Sequence, residues 1–349
     1  GQIHPEQRSL AEHLASAGYR TAGIYSNGLL DQEKGFARGM EHFQVFKPRT
    51  PEAKGKPWTA DQVTDLGLAW LEGITGEPFF LALHYSDPHF PYAPLEGLAF
   101  EPYDDPQRRE AFRAALPPEH RDEFTTGSYR LLERHSAAYD SEILQTDRHV
   151  ARVLEWLERE QLADRTLVVL TADHGEGLGQ RAIAPGERVH GGPIGRFYLS
   201  HGTQLYDEQV RVPLVFVGPQ VPAGVRVPAH VSLIDVMPTV LALMHLPVPQ
   251  GLHGQLLRFD QDHIQQRPVF AYCSRATTVT VEDRWRLHVP RDYRVRDHGA
   301  RPELYDLAAD PLELQPLPDE QRIATLEQQV ASWKEVHTAL EEGRGLPLS

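Results

Sequence analysis

The chain has 349 residues, 40% of them hydrophobic, enough for one large domain and a smaller one. Lys and Arg total 35 against 49 Asp and Glu, a formal charge of -14, which argues against a nucleic-acid or anionic-membrane surface because both attract basic patches. The single cysteine, Cys273, excludes an intrachain disulfide and a cysteine-built metal cluster, and no run of about 18 apolar residues is present to span a bilayer.

Leu10, Leu14 and Ala17 recur at helical spacing, with Gly18 placed to end that helix. Tyr19 to Tyr25 reads as a strand closing on the turn Ser26-Asn27-Gly28. Thr59 starts a second helix as a cap that Gln62 closes into a capping box, with Val63, Leu66 and Trp70 as the apolar face. Pro78 to Tyr85 is a buried strand running into Ser86-Asp87-Pro88-His89-Phe90-Pro91-Tyr92, a loop that two prolines hold extended. Residues 104–127 are charged and poor in apolar positions, and read as a surface excursion. From about Ser136 an amphipathic helix runs to Glu160, with Ile143, Val150, Val153, Leu154 and Leu157 on one face.

Leu167 to Thr171 is a short apolar, β-branched run, the pattern of a central parallel strand. It ends in Asp173 and His174, followed by Gly175 and Gly177, which permit a sharp turn. Ligands of open α/β sheets bind outside the carboxyl ends of such strands. A carboxylate beside an imidazole there suits a divalent metal; the alternative is that Asp173 caps a helix and His174 is a polar loop residue.

Residues 178–200 form a Gly- and Arg-containing loop, Pro213 to Gly218 a further strand, and Asp235 caps a helix through Val240, Leu243 and Met244. Helices alternating with buried strands predict an α/β fold, a doubly wound, mostly parallel sheet flanked by helices. Past about residue 265 the pattern changes: Val269–Cys273, Thr277–Val281 and Trp285–Val289 read as short antiparallel strands, and a helix over Glu320–Glu342 closes the chain. The expected division is therefore residues 1–265 for the α/β domain and 266–349 for a small antiparallel subdomain.

Several segments, in order, resemble the sulfatase family of the alkaline-phosphatase superfamily. Thr171-Ala172-Asp173-His174-Gly175-Glu176 is similar to its second metal-binding segment, and His201-Gly202-Thr203-Gln204-Leu205-Tyr206-Asp207 with Arg211-Val212-Pro213-Leu214 to the segment that follows. Asp87-Pro88-His89-Phe90-Pro91-Tyr92 resembles the family's substrate-side histidine loop, and Leu10-Ala11-Glu12 through Gly18-Tyr19-Arg20-Thr21-Ala22 its early helix and strand. Asp235-Val236-Met237-Pro238-Thr239 matches its late helix, and Glu303-Leu304-Tyr305-Asp306-Leu307 with Asp310-Pro311 its closing strand and turn. Each match alone is weak; the ordered set covers nearly the whole chain.

The resemblance implies a metal-dependent hydrolase of sulfate esters. In such enzymes one divalent cation, usually calcium, polarises a sulfate oxygen, and a formylglycine made from cysteine or serine attacks sulfur. Asp173 and His174 carry over as metal ligands. His89 carries over as a sulfate-contacting residue or as general acid to the leaving alcohol, a role that suits imidazole. His201 carries over as a second histidine near the sulfate. Asn27 stands near the place of the family's early lysine segment and is read as facing the substrate. Arg211 reads as a structural partner of a carboxylate, and Cys273 as a buried strand residue.

The family's acidic pair on its first strand and its Cys- or Ser-x-Pro-x-Arg nucleophile segment do not occur in these 349 residues. Two metal ligands then stand where about four are expected, so the chain alone should be inactive and bind calcium, which takes six to eight oxygens, poorly. A missing first strand should also leave an exposed apolar edge. The substrate implied is a small-molecule or saccharide sulfate ester, in a periplasmic or secreted setting. The alternatives are a phosphodiesterase or phosphonate ester hydrolase of the same superfamily, and a non-catalytic sulfatase-like binding protein.

Overall fold

A computed structural model of the chain describes residues 3, 6–46, 59–74, 76–92, 105–116, 118–181, 197–259, 267–273, 275–291 and 301–341. Residues 93–104, and residues 182–196 of the loop read from sequence at 178–200, lie outside the described residues. The chain divides into two compact units, Gly1–Thr166 with Leu178–Leu199, and Leu167–Gly177 with Ser200–Ser349.

The first unit is built on a parallel sheet. Helix α1 (Leu10–Ser16) opens with a capping box: Ser9 Oγ accepts the Glu12 N–H at 3.2 Å, and the Glu12 carboxylate accepts the Ser9 N–H at 2.8 Å. Gly18, at φ +86°, turns the chain into β1 (Arg20–Tyr25), whose interior residues are buried. Strand β1 lies between β2 (His42–Val45) and β3 (Phe79–His84), parallel to both, with Tyr25 opposite Val45 and His84. The strands therefore end together, and their carboxyl ends present a common rim. Helix α2 (Ala60–Glu72) packs on β1 and β3. Its predicted capping box is present, with the Gln62 side chain accepting the Thr59 N–H at 3.1 Å. Gly67 is where the helix touches the sheet, since a Cβ there would lie 2.9 Å from the Leu83 side chain.

Two expectations for this unit are corrected. The excursion contains helix α3 (Pro106–Ala115), capped by Asp105, whose carboxylate accepts the Gln107 N–H at 2.8 Å. The long helix α4 (Thr126–Arg159) begins ten residues before Ser136, capped by Thr125. Tyr129 and Leu132, three residues apart and both fully buried, supply the apolar face that the charged composition hides. Leu132 joins Leu116, Phe197 and Leu199 in a small core against which Phe112 and Phe124 pack.

In the second unit, β4 (Val168–Thr171) pairs antiparallel with β5 (Leu214–Val217). This corrects the reading of a buried central parallel strand: Leu170, Val215 and Val217 are exposed. An apolar run specifies a strand but not the direction or depth of its neighbour. Helix α5 (Asp207–Val210) is a single turn, and α6 (Val236–Leu243) follows a short 3-10 turn. Asp235 sits at the start of α6 but does not cap it with its side chain. Its buried carboxylate instead accepts the N–H groups of Ser232 and Gln255 and pairs with Arg267.

The predicted antiparallel part is a four-stranded sheet in chain order: β6 (Val269–Tyr272), β7 (Ala276–Val281), β8 (Trp285–Pro290) and β9 (Glu303–Asp306). Helix α7 (Glu320–Glu341) covers it, and Val279, Leu287, Val289, Leu304, Leu326 and Val330 form the core between them. Burying each of these side chains contributes about 1.5–3 kcal/mol relative to exposure. Cys273 falls just past β6 and is half-buried rather than buried. Among the described residues no helix is long and apolar enough to cross a membrane.

Candidate functional site

Strand β4 delivers the Asp-His segment. The Thr171 hydroxyl donates to the Pro213 carbonyl at 2.8 Å, which pins the end of β4 to the start of β5. Asp173 Oδ1 then accepts the His174 N–H at 3.0 Å, and His174 Nδ1 lies 2.8 Å from the Gly175 carbonyl. A neutral ring donating from Nδ1 carries its lone pair on Nε2, the nitrogen that can meet a cation. The Asp173 side chain is 73% exposed, so the pair faces outward from the strand end. The described residues that follow, 174–181, form no helix for Asp173 to cap.

Gly175 makes the turn possible. Its N–H donates to the Gln209 carbonyl at 2.8 Å, and a Cβ at this position would lie 2.1 Å from the Glu208 carbonyl oxygen. Helix α5 therefore backs directly onto the Asp-His turn, closer than any other residue type would allow.

His201 stacks on His174 in the same unit, ring centroids 3.9 Å apart and planes inclined by 27°. Its Nδ1 lies 3.0 Å from the buried Glu176 carboxylate. That hydrogen bond, with the negative charges of Glu176 and Asp173, outweighs partial burial and holds the His201 pKa above its ordinary value. The carboxylate also fixes the orientation of the ring, as an outer partner does for a working histidine. The sequence motif contains Glu176 without showing its role. Its partner stands 25 residues away, so only the folded chain shows what it does.

The donors present do not make up a calcium site on their own. Asp173 and His174 supply one carboxylate and one imidazole, whereas calcium takes six to eight oxygens. Among the described residues no group of three or more His, Cys, Asp or Glu is placed to hold a metal ion. The rings of His174 and His201 do not chelate one cation either. Lone pairs lie in the ring planes, and two nearly parallel planes 3.9 Å apart share no nearby point.

Asn27 and His89 belong to the first unit, at the carboxyl ends of the adjacent strands β1 and β3. Asn27 Oδ1 accepts the Leu29 N–H at 2.9 Å, an Asx turn that shapes the loop after β1. Beside it the buried Ser26 Oγ lies 2.8 Å from the His84 carbonyl, 3.2 Å from His84 Nδ1 and 3.0 Å from Ser86 Oγ. This hydroxyl-imidazole tie between the two strand ends has no motif in the sequence. His89 is exposed, with its Nδ1 2.7 Å from the Phe90 carbonyl. Its loop is clamped from two helices. The Asp87 carboxylate accepts the Ala60 N–H at 3.0 Å, the Asp87 carbonyl accepts the Thr146 hydroxyl at 3.0 Å, and the buried Glu142 accepts the His89 N–H at 3.3 Å. Arg211 is largely exposed and pairs with Asp207 at 3.6 Å, the structural role expected of it.

An α/β chain with a parallel sheet, a C-terminal antiparallel sheet and an Asp-His turn at a strand end has an alkaline-phosphatase-like fold. The structure of BT4656 in complex with its substrate D-glucosamine-2-N,6-O-disulfate superposes with a TM-score of 0.69 at 17% identity, covering 97% of this chain and 83% of that one. A phosphonate monoester hydrolase from Silicibacter pomeroyi gives 0.64 at 17% identity, covering 96% and 81%. The family model for sulfatases matches residues 1–246, and the chain belongs to that family. Arylsulfatase K of Gallus gallus is 28% identical over 294 residues, 72% of this chain and 51% of the relative. The uncharacterized sulfatase YidJ of Escherichia coli K12 is 27% identical over 278 residues, 71% of this chain and 48% of the relative. The chain thus spans about half the length of these curated relatives.

Proposed function

We propose that the chain carries the sulfate-recognition part of a metal-dependent sulfuric ester hydrolase. The observation that supports this most is the cluster of Asp173, His174, Glu176 and His201 at the end of β4, in a chain of the sulfatase family. In its cationic form, which Glu176 favours, His201 donates from Nε2 to a sulfate oxygen and offsets the charge that builds on the ester as its sulfur is attacked. Asp173 and His174 contribute two ligands to a divalent cation, calcium by family resemblance, that needs further ligands to bind. Asn27 contributes its side-chain amide to the substrate side. His89 is the proton donor to the leaving alcohol: with Nδ1 engaged by the Phe90 carbonyl, the proton it gives up is the one on Nε2. The substrate class is a saccharide or other small-molecule sulfate ester, in a periplasmic or secreted setting. With no Cys- or Ser-x-Pro-x-Arg segment in these 349 residues, the chain by itself turns over no aryl sulfate.

The test is a binding titration of the chain with 4-nitrophenyl sulfate and 4-nitrophenyl phosphate, followed through the histidine side-chain NMR signals. The sulfate ester should shift the His174 and His201 signals, and His201→Ala should weaken its binding by about tenfold or more, as loss of a charge-assisted hydrogen bond does. Sulfate binding that leaves both rings unmoved defeats the reading. The likeness to the phosphonate monoester hydrolase favours a second reading, a phosphonate or phosphodiester substrate, and a clear preference for the phosphate ester would move the assignment there.

A further inference from the structure

The second unit buries a cluster of charged groups that the proposed chemistry does not use. Arg286 and His288 point from β8 onto Glu313, all three almost fully buried. Glu313 Oε1 lies 2.8 Å from His288 Nε2, and its Oε2 accepts from Arg286 at 3.3 Å and from the backbone N–H of Asp207 at 2.7 Å. Arg286 closes the ring by donating to Asp207 Oδ1 at 2.9 Å. Beside it Tyr206 packs edge-on against His288, 4.6 Å between centroids, and donates to Glu303 at 2.7 Å.

Two features point beyond core packing. Glu313 takes up φ +53°, a left-handed conformation uncommon in residues other than glycine, at the turn after Asp310-Pro311. That turn aims a single carboxylate at the first N–H of α5. Helix α5 is one turn long and carries Gln209, whose carbonyl holds the Gly175 N–H at 2.8 Å, with Glu208 in contact too close for any Cβ on Gly175. So short a helix has only two i→i−4 hydrogen bonds, Val210 N–H to the Tyr206 carbonyl at 3.1 Å and Arg211 N–H to the Asp207 carbonyl at 2.9 Å, and takes its position largely from what holds its ends.

We infer that Glu313 is a positioning residue for the Asp173-His174 turn, acting through Asp207 and the single-turn helix α5. The antiparallel sheet is then part of the working site: Arg286 and His288 hold the carboxylate, the carboxylate holds α5, and α5 sets where the strand-end ligands stand. The inference deepens the sulfate-ester reading and rests on it for its consequence, but not for its geometry.

Native-state amide exchange on the intact, metal-free chain tests it. In the unsubstituted protein the amides of Asp207 and Gly175 should open together, with equal opening free energies and equal denaturant dependence. Glu313→Gln should lower the protection of both by about tenfold or more and weaken 4-nitrophenyl sulfate binding, while the Val279 and Leu287 amides of the β7–β8 ladder keep theirs. If Gly175 stays protected while Asp207 does not, the inference is overturned. Equal loss across Val279, Leu287 and Gly175 overturns it as well, because that is the signature of core stability alone. If the variant does not fold, unequal opening of Asp207 and Gly175 in the unsubstituted chain still decides against it. Coupled amides in a chain that binds no sulfate ester would support the positioning and sink the functional reading instead.

Discussion

The ring centroid of His201 lies 3.9 Å from that of His174, and its Nδ1 is tied to Glu176 at 3.0 Å. Glu176 favours the charged form of His201, whose ring then carries a proton on both nitrogens. A sulfate ester needs a donor and a cation needs a lone pair; the stacked pair offers both without moving a backbone atom.

The charge on His201 is therefore expected to depend on Glu176. Its pKa is raised first by the hydrogen bond it donates to Glu176, so the stability it contributes is fully present below the unfolded value of about 6.5 and is lost as pH rises through the folded value. Glu176→Gln should bring the His201 titration, followed by NMR in metal-free protein, back toward the ordinary range and flatten that loss. A His201 titration unchanged by the substitution would show that Glu176 is not its cause.

Gly175→Ala should be among the most damaging single-methyl changes in the chain. The added Cβ meets a backbone carbonyl, that of Glu208 at 2.1 Å, and not the yielding end of a side chain. Overpacking of this kind costs about 1–3 kcal/mol or more, here with loss of the Gly175 to Gln209 hydrogen bond. Urea unfolding should show a lower midpoint, and the His174 and His201 signals should move apart. A stability within about 0.5 kcal/mol of the parent would mean that α5 is free to shift, which the positioning argument forbids.

Much of this was legible before folding. Thr59 and Gln62 mark a capping box because their spacing carries the geometry with it, and the β-branched run of β7 marks a strand because such side chains fit a pleated surface. Asp173 and His174 were legible as a strand-end pair. What the sequence could not show is where partners far along the chain come to lie. Strand β4 reads as buried and parallel because apolar residues specify a strand, while its antiparallel pairing depends on how the chain returns beside it at β5 (Thr171 with Leu214 at the near end, and with Pro213, 42 residues on, at 2.8 Å). Helix α4 hides its first turns because Tyr129 and Leu132 are diluted by charged neighbours. The roles of Glu176 and Glu313 are tertiary throughout: neither carboxylate has its functional partner within twenty positions of it.

Acid should weaken the Glu313 cluster as its carboxyl takes up a proton. Burial alone would push the Glu313 carboxyl up, but its bond to His288, the charges of His288 and Arg286 and the Asp207 N–H together hold it below its ordinary value. A depressed carboxyl contributes stability that is present above the unfolded value, about pH 4.3, and is lost as pH falls through the folded one. The stability gap between the parent and Glu313→Gln, measured by urea unfolding, should be widest near neutral pH and narrow steadily below about pH 4.3. A gap that stays constant down to acid pH would assign the destabilisation to packing and not to charge.

Calcium should stabilise this chain very little. A ligand that binds only the folded state adds RT ln(1 + [L]/Kd), and a donor set of one exposed carboxylate and one imidazole falls well short of what weak extracellular calcium modules use to reach a Kd of about 1 mM. At about 1 mM calcium the gain is then at most ~0.4 kcal/mol, a shift of about 1 °C or less in the melting temperature of a chain this size. Thermal unfolding in a chelator and in calcium, with Asp173→Asn run alongside, gives the answer directly. A rise of about 5 °C that Asp173→Asn abolishes would mean that the chain completes the site from residues other than Asp173 and His174. The half-built site would then be wrong, and the expectation of an inactive chain would lose one of its two supports, leaving only the absent nucleophile segment.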